Sequence, residues 1–156
     1  MSAGDHPWCF DGGSLAPGES PVKLLPDFFV FEQALRNGVY LASALVDGDD
    51  KADLIAGGGP GGGPRVFILG GDALLRSSMS PLANFFAGDV SDRGGVRVAV
   101  SEMGDPAVPV LVTGAGDGSG STVRAYRLDE FGPFTLDEPA RTFSAFPGFN
   151  GGVFVG

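Results

Sequence analysis

The chain has 156 residues, enough for one ordinary domain, and 43% of them are hydrophobic, which is sufficient to form a core. Its formal net charge of −9 argues against a nucleic-acid partner, because such surfaces need clustered Lys and Arg. No apolar stretch approaches the roughly 20 residues of a membrane helix, and the first residues lack the basic and apolar regions of a signal peptide. We therefore expect no nucleic-acid binding, no membrane insertion and no signal peptide in this chain.

Glycine and proline dominate the composition. The chain contains 27 Gly and 12 Pro residues, and a glycine share of roughly 7% is usual. Such abundant turn chemistry favours many short strands joined by tight turns. We therefore predict an all-β fold, in which the 13 Phe residues are recurring core elements.

An internal repeat of 57 residues runs through the sequence without a gap. The clearest copies read NGVYLA, GGVRVA and GGVFVG. Four sets of positions agree with this interval: residues 37–42, 94–99 and 151–156; residues 53–59 and 110–116; residues 65–67 and 122–124; and Phe29, Phe86 and Phe143. Agreement at several places in one register indicates a tandem repeat.

Each unit contains four strand-like runs that are separated by Gly-rich or polar turns. In the first full unit we predict strands at residues 39–44, 52–56, 65–69 and 82–86, where apolar side chains tend to alternate with others. Residues 31–36 would pass for a helical turn, but their counterparts in later units contain Gly, Asp and Pro. This segment is therefore predicted to be a loop.

Four antiparallel strands per repeated unit is the blade pattern of a β-propeller. The predicted organisation is a partial blade with a loose N-terminus at residues 1–36, full repeats at 37–93 and 94–150, and the first strand of a further repeat at 151–156. A stacked β-solenoid is the alternative, although its repeats are usually shorter.

The number of units has a consequence for assembly. The chain holds fewer than three 57-residue units, whereas propellers typically close with four to eight blades. An open array exposes sheet faces and edges that invite association. We expect either that the chain is a piece of a longer polypeptide or that copies associate through their open blade edges.

The stretch VDGDDKADLIAGGGPGGGPRVF, residues 46–67, resembles the FG-GAP (VCBS-like) repeats. These repeats form the propeller blades of integrin α-subunits and of many bacterial surface proteins. The phrase FPGFNGGV, residues 146–153, is similar to the segment that leads into the next blade in bacterial versions. The resemblance covers nearly the whole chain from Cys9 onward. It implies a calcium-stabilised propeller on an extracellular or cell-surface protein, used in adhesion or as a scaffold for loops that bind a protein or carbohydrate ligand.

Closely spaced carboxylates lie between the first two predicted strands, at Asp47, Asp49, Asp50 and Asp53. Calcium takes six to eight oxygen ligands, and such carboxylates with a backbone carbonyl provide most of them. The cluster therefore predicts one calcium site. The alternative interpretation is a solvated, turn-forming cluster without a metal.

Resemblance to the family loop, D-x-D/N-x-D-G-x-x-D, implies which atoms would bind the metal. Its third, fifth and ninth positions are Asp47, Asp49 and Asp53, and the Lys51 carbonyl stands at the seventh. The chain departs from the pattern at the first position, which is Leu45, and at the Gly after the central Asp, which is replaced by a second Asp. A site without its first carboxylate is expected to bind calcium more weakly. In the second unit, residues 102–110 have lost the pattern, and we predict no metal there.

Catalysis has little support in the sequence. His6 is the only histidine, so a Ser or Cys nucleophile would lack a positioned base. The Gly-rich run at residues 57–63 precedes a predicted strand rather than a helix, so it is predicted to be an inter-strand loop and not a phosphate cradle. Arg65, Arg97 and Arg124 occupy strand positions and are expected to face outward without forming a basic patch.

We therefore predict a non-enzymatic binding or scaffold module. Two alternatives stay open at this point: a purely structural remnant of a larger surface protein, and a fragment of a propeller hydrolase or lyase that uses a pair of carboxylates. Dependence of folding on calcium would separate the module from the remnant.

Overall fold

The computed structural model describes residues 9–104, 107–128 and 138–156. The loose N-terminus predicted before Cys9 and the acidic residues at 129–130 and 137 lie outside these ranges. No helix in the described ranges is long and apolar enough to cross a membrane. The elements are a 3-10 turn at Gly12–Ser14, strands β1 (Val39–Ala44), β2 (Asp53–Gly58) and β3 (Arg65–Leu69), a short helix α1 (Gly71–Leu75), and strands β4 (Pro81–Phe86), β5 (Val96–Met103), β6 (Val108–Ala115), β7 (Thr122–Arg127) and β8 (Arg141–Ser144).

The strands form two four-stranded antiparallel sheets, in the orders β1-β2-β3-β4 and β5-β6-β7-β8. Each strand pairs with its neighbour along the chain, as consecutive strands commonly do. The all-β prediction is therefore confirmed. The bounds of β1 and β3 coincide with the predicted runs, and those of β2 and β4 differ by one or two residues. Residues 31–36 contain no helix, as predicted.

The main hydrophobic core lies between the two sheets. Ile55, Val66 and Ile68 from the first sheet are fully buried in one cluster with Leu111 and Tyr126 from the second. Burying one such aliphatic side chain contributes roughly 1.5–3 kcal/mol. A second, smaller cluster of Leu25, Leu69 and Leu74 fixes the N-terminal segment to the other face of the first sheet.

Backbone contacts between units recur at the repeat interval. The carbonyl of Val96 lies where a Cβ of Gly57 would sit, and the carbonyl of Val153 has the same relation to Gly114. Gly95 and Gly152 both have φ of 73°, and each lies against the backbone of the preceding unit. Only glycine combines this conformation with so close an approach, which explains why glycine recurs at these positions.

The same interval is visible in the hydrogen bonds between loops. Gly61 N donates to Arg93 O at 2.7 Å, and Gly118 N donates to Asn150 O at 2.7 Å. Both partners of the second bond lie 57 residues after those of the first. The contact geometry thus follows the sequence repeat from one unit to the next.

The fourth strand breaks the gapless register. In the first sheet Val66 is paired with Phe85, and in the second Val123 is paired with Phe143. Phe143 therefore corresponds to Phe85 and not to Phe86, so β8 is shifted by one residue. The placement of Phe86 and Phe143 in one phase was wrong, because a single extra residue before β8 satisfies the same pairing.

Both ends of the described chain form less strand than expected. In the predicted partial blade at residues 1–36, the described part from Cys9 makes one isolated antiparallel bridge, Phe10 with Lys23, on either side of the 3-10 turn. At the other end Gly151 forms a parallel bridge with Gly120, and residues 152–156 are not in a strand. Residues 151–156, predicted to be the first strand of a further repeat, lie against β6 through the hydrogen bond from Val153 N to Ala115 O, but they do not form a strand ladder.

Candidate metal centre

The loop between β1 and β2 brings three carboxylates together. One oxygen from each of Asp47, Asp49 and Asp53 lies within 4.8 Å of the others. Asp53 is fully buried at the start of β2, whereas Asp47 lies exposed on the loop surface. Three members of the acidic cluster predicted from the sequence therefore meet in the structure, and they are the three that the resemblance to the family loop had implied.

Asp53 anchors the loop through backbone amides. Its Oδ2 accepts hydrogen bonds from Val46 N at 2.6 Å and from Asp47 N at 3.2 Å, and its Oδ1 accepts one from Gly71 N at 2.9 Å. Burial of a carboxylate is costly unless hydrogen bonds compensate for lost water, and these amides provide that compensation. Asp53 thereby fixes the loop to the start of α1.

Asp47 and Asp49 shape the exposed half of the loop. Asp49 N donates to Asp47 Oδ1 at 3.1 Å, and Lys51 N donates to Asp49 Oδ1 at 2.6 Å. Each bond spans two residues and closes an Asx-turn, which holds the backbone in a tight curve. Asp47 and Asp49 each accept the bond through Oδ1.

Asp50 and Lys51 form a surface pair beside the triad. Lys51 Nζ donates to Asp50 Oδ1 at 2.9 Å. This hydrogen bond and the opposite charge lower the pKa of Asp50 and raise the pKa of Lys51. Asp50 is thus engaged away from the triad. The Lys51 carbonyl as a metal ligand stays a prediction.

The three carboxylates lie close enough together to bind one metal ion. Calcium binds oxygens at about 2.3–2.6 Å, so two oxygens on one ion stand up to roughly 5 Å apart. The triad satisfies this limit, since its oxygens lie within 4.8 Å. Asp47, Asp49 and Asp53 could therefore hold a metal ion, with backbone carbonyls or water completing the coordination.

The second unit has an apolar residue at the position that corresponds to Asp53. Val110 in β6 stands 57 residues after Asp53 and is 5% exposed. The amide of Leu128, which corresponds to Gly71, donates to Pro109 O at 2.9 Å rather than to a carboxylate. The buried Asp is therefore specific to the first unit. The absence of metal in the second unit stays a prediction.

A groove of about 310 Å³ lies beside the Gly-rich loop. Arg65 lines it, and its charge is already engaged by Glu32 Oε1 at 2.8 Å and by Asn84 Oδ1 at 2.8 Å. Its guanidinium also lies 5.5 Å from the ring of Phe67. The groove thus contains a satisfied arginine rather than one that awaits a ligand.

Arg97 does not face outward, contrary to the prediction. It is only 7% exposed, and its guanidinium carbon lies 4.3 Å from the ring centre of Phe154 and 5.6 Å from that of Tyr40. The centroids of these two rings are 6.3 Å apart. Tyr40, Arg97 and Phe154 stand at one position of the repeat. The succession of an aromatic, a cationic and an aromatic residue at this interval is the sequence pattern from which the contact of Arg97 with the two rings could have been predicted.

Comparison with known proteins gives no further identification. No model of a protein family, no curated protein and no solved structure matches this chain. The resemblance to FG-GAP repeats therefore depends on the residues of the chain itself.

Proposed function

We propose that this chain is a segment of an FG-GAP-type β-propeller that acts as a non-catalytic binding or scaffold module on an extracellular or cell-surface protein. One calcium ion, held by Asp47, Asp49 and Asp53, stabilises its first full blade. Its ligand is a protein or a carbohydrate. The domain boundaries at residues 37, 94 and 151 follow from the repeat.

The observation that best supports the proposal is the convergence of three units at one point. Tyr40 belongs to the first strand of its unit, and Phe154 occupies the same position two units later. Stacked sheets lie about 10 Å apart, so a straight stack would separate these residues by about 20 Å. Their ring centroids are 6.3 Å apart. Units that curve around a shared axis, as propeller blades do, account for this distance.

Pairing of the strands also favours blades over a solenoid. Both ladders run antiparallel between strands that are consecutive in the chain. A β-solenoid instead builds its sheets from strands of successive repeats. Strand pairing within the unit and face-to-face packing between units is the propeller arrangement.

The outer face of the second sheet supports the assembly part of the proposal. Phe143 is 49% exposed, whereas Phe85 at the corresponding position is 6% exposed beneath the second sheet. Strand β8 is exposed throughout. A further blade, from a longer chain or from a second copy, would cover Phe143 as the second sheet covers Phe85.

Calcium binding is tested by thermal unfolding in calcium and in chelator. We expect calcium to raise the melting temperature, because the ion offsets repulsion among three clustered carboxylates. Asp49→Asn should abolish this rise, since it removes a charged ligand and retains the shape of the loop. Asp50→Asn is the matched control, because Asp50 pairs with Lys51 outside the triad.

The two variants make the result specific. A calcium-dependent rise that persists in Asp49→Asn, or one that is lost equally in Asp50→Asn, would contradict the assignment of the site. An identical melting curve of the unaltered chain in calcium and in chelator would remove calcium from the proposed function and favour the structural remnant.

A further inference from the structure

We propose that the groove beside the Gly-rich loop binds a small carboxylic acid whose apolar body is about the size of one aromatic ring. Arg93 pairs with the carboxylate, and Leu35 and Phe86 contact the body. The groove shares no lining residue with the acidic triad, so this site does not depend on calcium binding.

The groove has room for such a ligand. Its volume is about 310 Å³, which falls in the range of roughly 300–1,000 Å³ that small-molecule sites occupy. A Cβ on Gly62 would lie 3.0 Å from Leu35 Cδ1, and a Cβ on Gly63 would lie 3.2 Å from Phe86 Cε1. Because both residues are glycines, no side chain from this part of the loop fills the space beside these two apolar groups.

The groove is also open to solvent. Phe86 is 47% exposed and Val90 is 60% exposed, and both line the groove. All its lining residues lie between positions 31 and 93, inside a range that the structure describes without a gap. Access to the groove therefore involves neither end of the sequence.

Two arginines line the groove, and one of them has no acidic partner. Arg65 is paired with Glu32 at 2.8 Å, which also neutralises the one carboxylate in the lining. Arg93 forms no ion pair within the described ranges. A ligand in the groove therefore meets one uncompensated positive charge. The net charge of −9 repels a dianion more strongly than a monoanion, which favours a ligand of single charge.

Backbone carbonyls hold the Arg93 guanidinium beside the floor of the groove. Its Nη1 donates to Val90 O and to Asp92 O, each at 2.7 Å. The same Val90 oxygen lies 3.8 Å from the Cβ position of Gly63. Nε and Nη2 of Arg93 make no hydrogen bond with the described residues, and the parallel N–H groups of these two atoms match the two oxygens of a carboxylate.

The remaining side chains favour an apolar body rather than a polar one. Leu35, Phe86 and Val90 line the groove without a polar group, and Phe86 presents an aromatic ring that is half exposed. Aromatic pairs gain stability beyond the area that they bury. A ring attached to the carboxylate therefore fits these walls better than a hydroxylated body of the same size.

The next unit does not repeat this combination of residues. The bond from Leu35 N to Glu32 O at 2.9 Å is matched by one from Asp92 N to Asp89 O at 3.0 Å, which aligns the turns of the two units. In this alignment Asp92 stands at the position of Leu35, and Asn150 stands at the position of Arg93. The apolar wall and the arginine are therefore particular to the first groove and are not a general product of the repeat.

The test is a titration of ¹⁵N-labelled protein with sodium phenylacetate, in chelator, followed through the backbone amide resonances of Gly62 and Gly63. Phenylacetamide has the same body without the charge, and sodium acetate has the charge without the body. We expect a saturable shift of both glycine resonances with phenylacetate. Phenylacetamide and acetate should each bind at least roughly 10-fold more weakly, because each lacks one of the two sets of contacts.

Variants separate the two halves of the site. Arg93→Gln should weaken phenylacetate binding roughly 10-fold and leave phenylacetamide binding unchanged, an outcome that distortion of the loop would not produce. Arg141→Gln, on the exposed strand β8, is the matched control and should bind phenylacetate like the unaltered chain. Phe86→Ala is an independent test, since it should weaken the binding of both phenylacetate and phenylacetamide.

Three results would each overturn the proposal: no saturable shift of the glycine resonances with phenylacetate, equal affinity for phenylacetate and for either control compound, or equal loss of affinity in Arg93→Gln and Arg141→Gln. Because the titration is done in chelator, absence of calcium binding at the acidic loop would leave its result unchanged. Failure of one proposal is therefore distinguishable from failure of the other.

Discussion

Replacement of Asp53 by Ala should destabilise the protein strongly even when no metal is present. The side chain is fully buried and accepts short hydrogen bonds from Val46 N at 2.6 Å and Gly71 N at 2.9 Å, with a longer one from Asp47 N. A buried donor left without its acceptor costs about 1–3 kcal/mol. Two short bonds and one weaker bond give an expected loss of about 3–6 kcal/mol, a large part of the 5–15 kcal/mol that typically holds a domain together.

The assay is urea unfolding in the presence of chelator, followed by circular dichroism. The midpoint should fall while the dependence of the unfolding free energy on urea is unchanged. Val110→Ala is the matched control, because it truncates the same repeat position where the neighbouring amide does not depend on the side chain. It should cost about 2 kcal/mol through lost burial alone. A loss of about 1 kcal/mol or less for Asp53→Ala would refute the reasoning that its backbone bonds anchor the loop.

Three further changes test the fold. Gly57→Ala should cost about 2–3 kcal/mol in urea unfolding, because its Cβ would meet the backbone of β5, whereas Gly12→Ala, in open space, should have little effect. Phe85→Ala should cost about 3–5 kcal/mol, but Phe143→Ala, at the exposed equivalent position, less than about 1 kcal/mol. Burial raises the pKa of the Tyr126 hydroxyl above its ordinary 10.0. The contribution of the neutral Tyr126 side chain to the free energy of unfolding should therefore be fully present below pH 10 and be lost as the pH rises further. Tyr126→Phe should remove this component of alkaline unfolding.

Local pattern was sufficient to predict the strands of the first unit. Alternating side chains define β1, which follows Gly38, and β3, which lies between Pro64 and Gly70, to the residue. Each strand must direct one face to the core, and each turn needs residues that tolerate its backbone conformation. Local spacing likewise indicated an acidic cluster at Asp47, Asp49, Asp50 and Asp53, and the resemblance to the FG-GAP loop implied which three would share a metal.

The features that sequence did not reveal depend on contacts between distant residues. Helix α1 has five residues, and the amide of Gly71 at its start donates a hydrogen bond to Asp53 of strand β2. The one-residue shift of β8 was hidden because Phe85 and Phe86 are adjacent aromatics, and either could match Phe143. The burial of Arg97 arises only where three units meet, so no single unit contains the evidence for it.

The shift of β8 shows that the fourth strand of a unit can change register while the first strands keep their spacing. The extra residue before β8 is absorbed before the next unit begins, since Gly95 and Gly152 keep both the 57-residue interval and the same φ of 73°. The spacing between the first strands of successive units is thus preserved, although the fourth strand of the second unit is shifted by one residue. A designer who wished to graft a foreign peptide would therefore place it between the third and fourth strands. Natural variation in loop length should collect at the same place, and the spacing of the glycines that join the units should resist it.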